Sequence, residues 1–117
     1  MALNDAALTT GANAIYTEIT HVQLHSAASA DGTTNLLGGR IAKTTTGGAG
    51  VDADGDITII GTWTSGLTAG ATVHSMSYWT AATGGALRGI NVRTTGDATV
   101  NAAGAFTYTA TENSTAA

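Results

Sequence analysis

DITIIGTWT, residues 56–64, decides the fold, because apolar and polar side chains alternate along it. Ile57, Ile59 and Trp63 fall on one side of an extended chain, and the threonines fall on the other. Residues two apart share one face of a strand, and β-branched and aromatic residues favour that pleated surface. The stretch therefore predicts a β-strand with one buried face.

Shorter stretches with the same two-residue period flank this strand. In residues 19–25, His21, Gln23 and His25 are predicted to form a polar face toward solvent or an interface. Glycine-containing turns separate such stretches every ~8–12 residues, which is typical of antiparallel sandwiches and barrels. Further strands are predicted around residues 40–43 and over residues 72–80 and 87–93, and residues 98–100 and 106–109 are predicted to pair as a final hairpin.

Three parts are predicted along the chain. Residues 1–18 are rich in alanine and predict one short or broken helix, or an arm. Residues 19–112 predict an all-β domain, an antiparallel sandwich or barrel, and residues 113–117 predict a polar tail. A chain of 117 residues without cysteine is long enough to hold a core without disulfides. The predicted core is Val22, Leu24, Ile57, Ile59, Trp63, Trp79, Ile90 and Phe106.

Charge is scarce in this chain, and its distribution argues against two classes of partner. Charged residues make up 10% of the sequence, against about 25% in an average domain. Four basic residues are scattered among eight acidic ones, so we expect neither nucleic acid nor an anionic membrane as a partner. A surface of threonine, alanine and glycine suits a protein that lies against other subunits.

An acidic cluster, Asp52, Asp54 and Asp56, resembles the start of a calcium loop. An EF-hand needs glycine at its sixth position and glutamate at its twelfth, whereas glycine stands fourth here and Trp63 stands twelfth. The cluster is interpreted as a solvated turn, with a hard-cation site of another kind as the alternative. His21 and the histidine four residues on would lie ~13 Å apart on a strand, too far to share a metal ion. No cofactor is predicted.

Catalytic patterns are missing from the sequence, which predicts a protein that is not an enzyme. No nucleophile-elbow pattern is present, and no acidic residue lies in the strands that carry the tryptophans. Contacts with other subunits are expected instead from the N-terminal segment, the glycine-rich loop 47–55 and exposed aromatic residues. The interface candidates are Leu3, Tyr16, Gly47, Gly48, Gly50 and Tyr78.

Two stretches resemble a family of small virion proteins of tailed phages, especially phages of actinobacteria. They are residues 20–28, THVQLHSAA, and residues 76–89, MSYWTAATGGALRG. The order of elements is similar too, with a helix that opens with LNDA, a strand with the pattern xLHxA and a hairpin with the pattern xWxAxxGGxxxG.

The resemblance implies a β-rich structural subunit of the virion. The leading hypothesis is a capsid decoration, or minor capsid, protein that binds the assembled lattice of the major capsid protein as a homo-oligomer such as a trimer. The alternative is a tail or tail-fibre component that contacts other virion proteins or a host glycan. Residues 1–5 lack the basic and apolar regions of a signal peptide, so synthesis is expected in the host cytoplasm.

Overall fold

The computed structural model describes residues 5–94 and 96–113. In this part of the chain, one helix is followed by nine strands. The prediction of an all-β fold with an N-terminal helix is confirmed. Leu3 and the tail residues 114–117 lie outside the described residues. In chain order the elements are α1 (Asp5–Glu18), β1 (His21–His25), β2 (Leu36–Ala42), β3 (Gly50–Val51), β4 (Asp56–Trp63), β5 (Thr72–Val73), β6 (Ser75–Trp79), β7 (Leu87–Val92), β8 (Ala98–Thr99) and β9 (Phe106–Asn113).

The helix α1 runs without a break through Gly11. Glycine costs about 1 kcal/mol relative to alanine inside a helix, but packing against the rest of the fold can offset that cost. Ala12 is fully buried, and Ile19, just after the helix, is nearly so. The helix packs on β3 and β4 and is part of the domain rather than a free arm.

The strands form two antiparallel sheets and a short ribbon. The first sheet has the order β2-β1-β6-β7, and the second has the order β3-β4-β9. Strands β5 and β8 form the two-stranded ribbon. The first sheet thus ends in β7 and the second in β9, and each of these strands pairs with one neighbour among the described residues.

The core lies between the facing surfaces of the two sheets. From the first sheet it takes Val22, Leu24, Met76 and Tyr78, and from the second Ile57, Ile59, Trp63, Tyr108 and Ala110. The alternation predicted for residues 56–64 places Ile57, Ile59 and Trp63 in this core as expected. Two predicted core residues are only half-buried: Ile90 on the edge strand β7 and Phe106 at the beginning of β9.

The predicted final hairpin is wrong. Strand β8 pairs with β5, and Val100 and Ala71 extend that ribbon through a backbone hydrogen bond of 2.9 Å. Strand β9 pairs instead with β4 along its whole length, from Asp56 opposite Asn113 to Trp63 opposite Phe106. The prediction assumed that neighbours in sequence pair. The eight-residue pairing of β4 with β9 offers far more cross-strand contact than the two-residue β8 can provide.

The glycine-rich loop 47–55 contains a short strand that the sequence does not predict. Gly50 and Val51 pair with Thr58 and Ile57 at the edge of the second sheet. Gly50 has a φ of 127°, which residues with a side chain rarely adopt. Composition alone does not predict such a strand, because glycine generally disfavours strands.

Candidate functional site

Both sheets end in a strand with one open edge, on the same side of the sandwich. Arg93 donates its backbone N–H to the carbonyl oxygen of His74, beside β6, at 3.1 Å. Backbone groups alternate in direction along a strand, so the N–H and C=O groups of Ile90 and Val92 point away from β6, toward the open side. Val92 also exposes 51% of its surface. Strand β7 therefore has backbone donors and acceptors without a partner among residues 5–94 and 96–113, next to an apolar side chain.

A β-bulge turns Arg88 out of the regular strand. Gly89 pairs with Tyr78 and Leu87 pairs with Trp79, which leaves Arg88 without a partner on β6. A bulge of this kind re-aims a side chain and bends the strand. The Arg88 guanidinium forms an ion pair with Glu18, at the end of α1, so β7 and the helix are joined across the gap between them.

A cleft of about 230 Å³ lies between α1, β7 and β9. We call it the α1–β7–β9 cleft and define it by Ile15, Ile19, Ile57, Ile59, Arg88 and Glu112. Its walls are largely aliphatic, and Ile15 is 45% exposed. The cleft therefore combines an apolar lining with one carboxylate and one guanidinium.

Glu112 is the fixed polar group of this cleft. Its Oε1 atom accepts a hydrogen bond from the Tyr78 hydroxyl at 2.8 Å and another from the Asn91 side-chain amide at 2.7 Å. Tyr108 in turn donates its hydroxyl to the backbone and side-chain oxygens of Asn91, both at 2.8 Å. Two tyrosines and an asparagine from three strands thus hold one carboxylate in place.

Burial keeps both phenols protonated. It raises the pKa of Tyr78 far above its usual value, and the hydrogen bond to the Glu112 carboxylate acts in the same direction. It also raises the pKa of Tyr108 to about 12. At neutral pH both hydroxyls therefore remain donors, and Glu112 keeps its acceptor role toward Tyr78.

The second carboxylate oxygen of Glu112 accepts no hydrogen bond from the described residues. No donor among residues 5–94 and 96–113 reaches its Oε2 atom, although every buried side-chain nitrogen or oxygen in that part of the chain has a partner. Oε2 is therefore accessible at the cleft. An oriented, accessible carboxylate beside aliphatic walls can accept a hydrogen bond from a cationic group that enters the cleft.

A second polar cluster is buried on the opposite face of the first sheet. Trp79 donates its indole N–H to Ser77 Oγ at 2.8 Å, and Ser77 Oγ lies 2.7 Å from His25 Nε2. His25 Nδ1 lies 2.9 Å from the carbonyl oxygen of Thr34. These partners assign the neutral Nδ1–H tautomer, with the serine hydroxyl donating to Nε2.

The sequence prediction of an outward polar face on β1 is therefore wrong. His25 has no exposed surface, and Gln23 is 4% exposed. The chain that follows β1 covers them, and the side-chain amide nitrogen of Gln23 lies within hydrogen-bond distance of the carbonyl oxygens of residues 24, 37 and 38. Alternation predicts which side chains share a face, but it does not show that a loop covers the polar one.

Ser77 and His25 have the spacing of a nucleophile and its base, a pair that the sequence does not single out. They stand 52 residues apart, and no local pattern links them. Both are fully buried, and the group that orients the imidazole is a backbone carbonyl. In this arrangement the pair has a structural role, because it joins β1 to β6 and to the loop that contains Thr34.

The acidic cluster forms a hydrogen-bonded turn. Asp52 Oδ1 accepts the backbone N–H groups of Asp54 at 2.9 Å and Asp56 at 3.0 Å. No group of three or more histidine, aspartate or glutamate side chains suited to a metal ion occurs in the part of the chain that the structure describes. The cation-site alternative for Asp52, Asp54 and Asp56 gains no support from this geometry.

The predicted interface residues lie in different environments. Tyr78 is 3% exposed and belongs to the core, because its ring packs inward and only its hydroxyl reaches Glu112. Its assignment to a surface is therefore corrected. Tyr16 is half-buried, and Lys43 Nζ lies 4.2 Å from its ring centroid. Of the loop glycines, Gly47 and Gly48 are exposed, and Gly50 is half-buried in β3.

Both tryptophans are buried. Trp63 is 4% exposed and donates its indole N–H to the carbonyl oxygen of Gly39. Trp79 is 6% exposed, and the Arg40 guanidinium stacks 3.9 Å from its ring centroid. Trp79, a predicted core residue, therefore lies outside the core between the sheets, on the face that it shares with Ser77. Neither ring is available as an exposed stacking platform.

The described residues contain no helix that is both long and apolar enough to cross a membrane. Comparisons of the chain with protein-family models, with curated proteins and with solved structures found no match.

Proposed function

We propose that the protein is a structural subunit of a virus particle, a capsid decoration protein that binds the assembled lattice of the major capsid protein. The proposal starts from the sequence resemblance to small virion proteins. The open side of the sandwich supports it, because a subunit of an assembly needs a surface that other chains can complete.

The open edge of strand β7, beside the α1–β7–β9 cleft, is the observation that carries this proposal. Exposed strand edges invite pairing with other chains, and monomeric proteins usually protect them with charges, prolines or covering loops. Ile90 and Val92 leave this edge apolar. The charged residues that flank this edge are both engaged, because Arg88 pairs with Glu18 on α1 and Arg93 donates to the carbonyl oxygen of Gly96.

The buried tryptophans favour the capsid over the tail alternative. A tail component that binds a host glycan needs exposed aromatic rings beside carboxylates or amides. Trp63 and Trp79 are buried, and the accessible carboxylate of Glu112 lies mainly among aliphatic side chains. A surface that binds protein fits this arrangement better than one that binds sugar.

Stabilisation of the shell follows from mass action. A subunit that binds only the assembled lattice stabilises it by RT ln(1 + [L]/Kd), about 2.7 kcal/mol at a free concentration 100 times Kd. No catalytic step is required, and the subunit needs only a lattice-specific surface and a rigid fold.

Imaging of particles that carry a tagged copy of this chain tests the proposal. Regular density over the head is the expected result, together with a lower disassembly temperature for particles that lack the chain. Density confined to the tail, or no particle association at all, would contradict the capsid role.

A matched pair of variants connects that test to the open edge. Val92→Pro removes an outward N–H group, and edge strands tolerate proline where the N–H faces solvent. Val92→Thr keeps the N–H group and the β-branched shape. We expect Val92→Pro to lower occupancy on particles and Val92→Thr to retain it. Equal occupancy for the two variants would exclude β7 from the contact.

A further inference from the structure

We propose that the α1–β7–β9 cleft binds an extended segment of a different protein, in which a lysine or arginine lies between aliphatic side chains. The cationic group contacts Oε2 of Glu112, the aliphatic side chains contact the apolar lining of the cleft at Ile15, and the backbone pairs with β7. The inference rests on the proposed role as a virion subunit, and it specifies the chemistry of the partner.

Charge is the first reason for a basic segment. Glu18 and Glu112 contribute two carboxylates around the cleft, and Arg88 contributes one guanidinium, already paired with Glu18. One negative charge therefore remains, and it is held at Glu112 by Tyr78 and Asn91. Because the carboxylate is already oriented, a cation that binds to it needs little rearrangement of the cleft.

The shape of the walls is the second reason. Lysine and arginine bury their methylene stems on apolar surface while the charged group reaches a polar partner. Ile57 and Ile59 line the cleft together with Glu112 but are almost fully buried, whereas Ile15 is 45% exposed and provides accessible apolar surface. A purely polar ligand would leave Ile15 in water, and a purely apolar one would leave Oε2 facing hydrocarbon.

The open backbone of β7 is the reason for an extended segment. A strand added at a sheet edge gains main-chain hydrogen bonds, and alternate side chains then point toward one face. The outward N–H and C=O groups of Ile90 and Val92 provide that pairing. A basic residue with aliphatic neighbours two positions away on each side would then direct all three side chains to one face, toward the cleft.

The occupant is a different protein because the four basic side chains of this chain, all of them among the described residues, are already engaged. Arg88 pairs with Glu18, and Arg93 donates to the carbonyl oxygen of Gly96. The other two donate to backbone carbonyl oxygens. Arg40 donates to those of residues 81 and 84, and Lys43 donates to those of residues 16 and 19.

A peptide-binding experiment on the isolated full chain tests the inference. The probe is the acetylated, amidated peptide Thr-Val-Thr-Lys-Thr-Val-Thr, and its control carries norleucine in place of lysine. Binding is followed by NMR through the isoleucine methyl signals and the backbone amide signals. We expect the lysine peptide to shift the methyl signals of Ile15 and Ile57 and the amide signal of Ile90, and to bind about fivefold more tightly than the norleucine peptide.

Two variants with the same change in charge sharpen the test. Glu112→Gln keeps an oxygen that can accept from Tyr78 and Asn91 but removes the negative charge. Asp54→Asn removes one negative charge from an exposed turn outside the cleft. Glu112→Gln should abolish the preference for lysine over norleucine, and Asp54→Asn should preserve it.

Three results would overturn the inference. The first is equal affinity for the two peptides, and the second is a lysine preference that survives in Glu112→Gln. The third is a concentration-dependent shift of the Ile15 and Ile90 signals without peptide, which would make a second copy of the chain the occupant. Particle imaging judges the virion role separately, because the peptide is measured on the isolated protein.

Discussion

The Tyr78 hydroxyl on β6 donates a 2.8 Å hydrogen bond to Glu112 on β9, and this contact joins the two sheets at their open side. Asn91 on β7 donates to the same carboxylate oxygen. The bonds hold the two edge strands at a fixed separation while the cleft beside them stays open. Glu112 therefore has a structural role as well as the proposed binding role, and the two can be separated by substitution.

Glu112→Ala should lower the free energy of unfolding by about 1–3 kcal/mol, because it leaves two partly buried donors without their acceptor. Glu112→Gln should cost clearly less, since its side-chain oxygen can still accept from Tyr78 and Asn91. Urea unfolding followed by tryptophan fluorescence measures both variants. Equal losses for the alanine and glutamine variants would show that the hydrogen bonds to Oε1 do not join the sheets.

Acidification should destabilise the protein through His25. Burial lowers the pKa of its imidazole below the usual value, and the hydrogen bond to the Thr34 carbonyl only partly opposes this shift. Below about pH 6.5 the unfolded state therefore binds more protons than the folded state. The free energy of unfolding should fall by up to about 1.4 kcal/mol per pH unit until the folded-state pKa of His25 is reached.

The pH dependence is measured by urea unfolding between pH 8 and pH 5 in two variants. His21→Gln, at a half-buried position, should retain the fall, and His25→Gln should lose most of it. A fall of the same size in His25→Gln would assign the effect to other groups.

Lys43→Met should destabilise the protein by about 1–3 kcal/mol. Lys43 Nζ donates to the carbonyl oxygens of Tyr16 and Ile19, at 2.9 and 2.6 Å, where the carbonyl end of α1 attracts a cation. Methionine keeps much of the apolar stem and removes both bonds. Arg88→Met is the comparison, because its exposed ion pair should contribute less than about 1 kcal/mol. An equal effect of the two substitutions in urea unfolding would contradict this assignment.

Gly61→Ala should cost about 1–3 kcal/mol through overpacking. A Cβ atom at Gly61 would lie 2.9 Å from Val22 Cγ2 and closer still to the Trp63 ring. Gly39→Ala is the control, because nothing lies within 4 Å of its Cβ position. Thermal unfolding should show a lower midpoint for Gly61→Ala alone, and unchanged midpoints for both variants would refute the close packing.

Local pattern explains which parts of the fold the sequence can predict. The alternation of Ile57, Ile59 and Trp63 is a property of one segment, and it predicts β4 correctly. The pairing of β9 with β4 depends on contacts between distant segments, so the assumption that β8 and β9 form a hairpin fails. The burial of His25 depends on a loop that covers it, and the periodicity of the strand does not predict such a loop.

The cleft cannot be predicted from the sequence, for the same reason. Ile15, Arg88 and Glu112 come from the helix and two strands that only the tertiary fold brings together. The sequence marks Tyr78 only as a large aromatic residue, a type enriched at interfaces, whereas its ring lies in the core. The signal that the sequence does contain is Glu112 itself, a carboxylate near the end of an otherwise threonine-rich strand.

Hydrogen exchange at β7 tests the central claim most directly, namely that this open edge is completed by another protein on the particle. The amides of Ile90 and Val92 point outward in the isolated chain and should exchange rapidly. We predict that both become strongly protected when the protein is bound to assembled capsids. Exchange at the same rate in the free and the particle-bound protein would contradict the account.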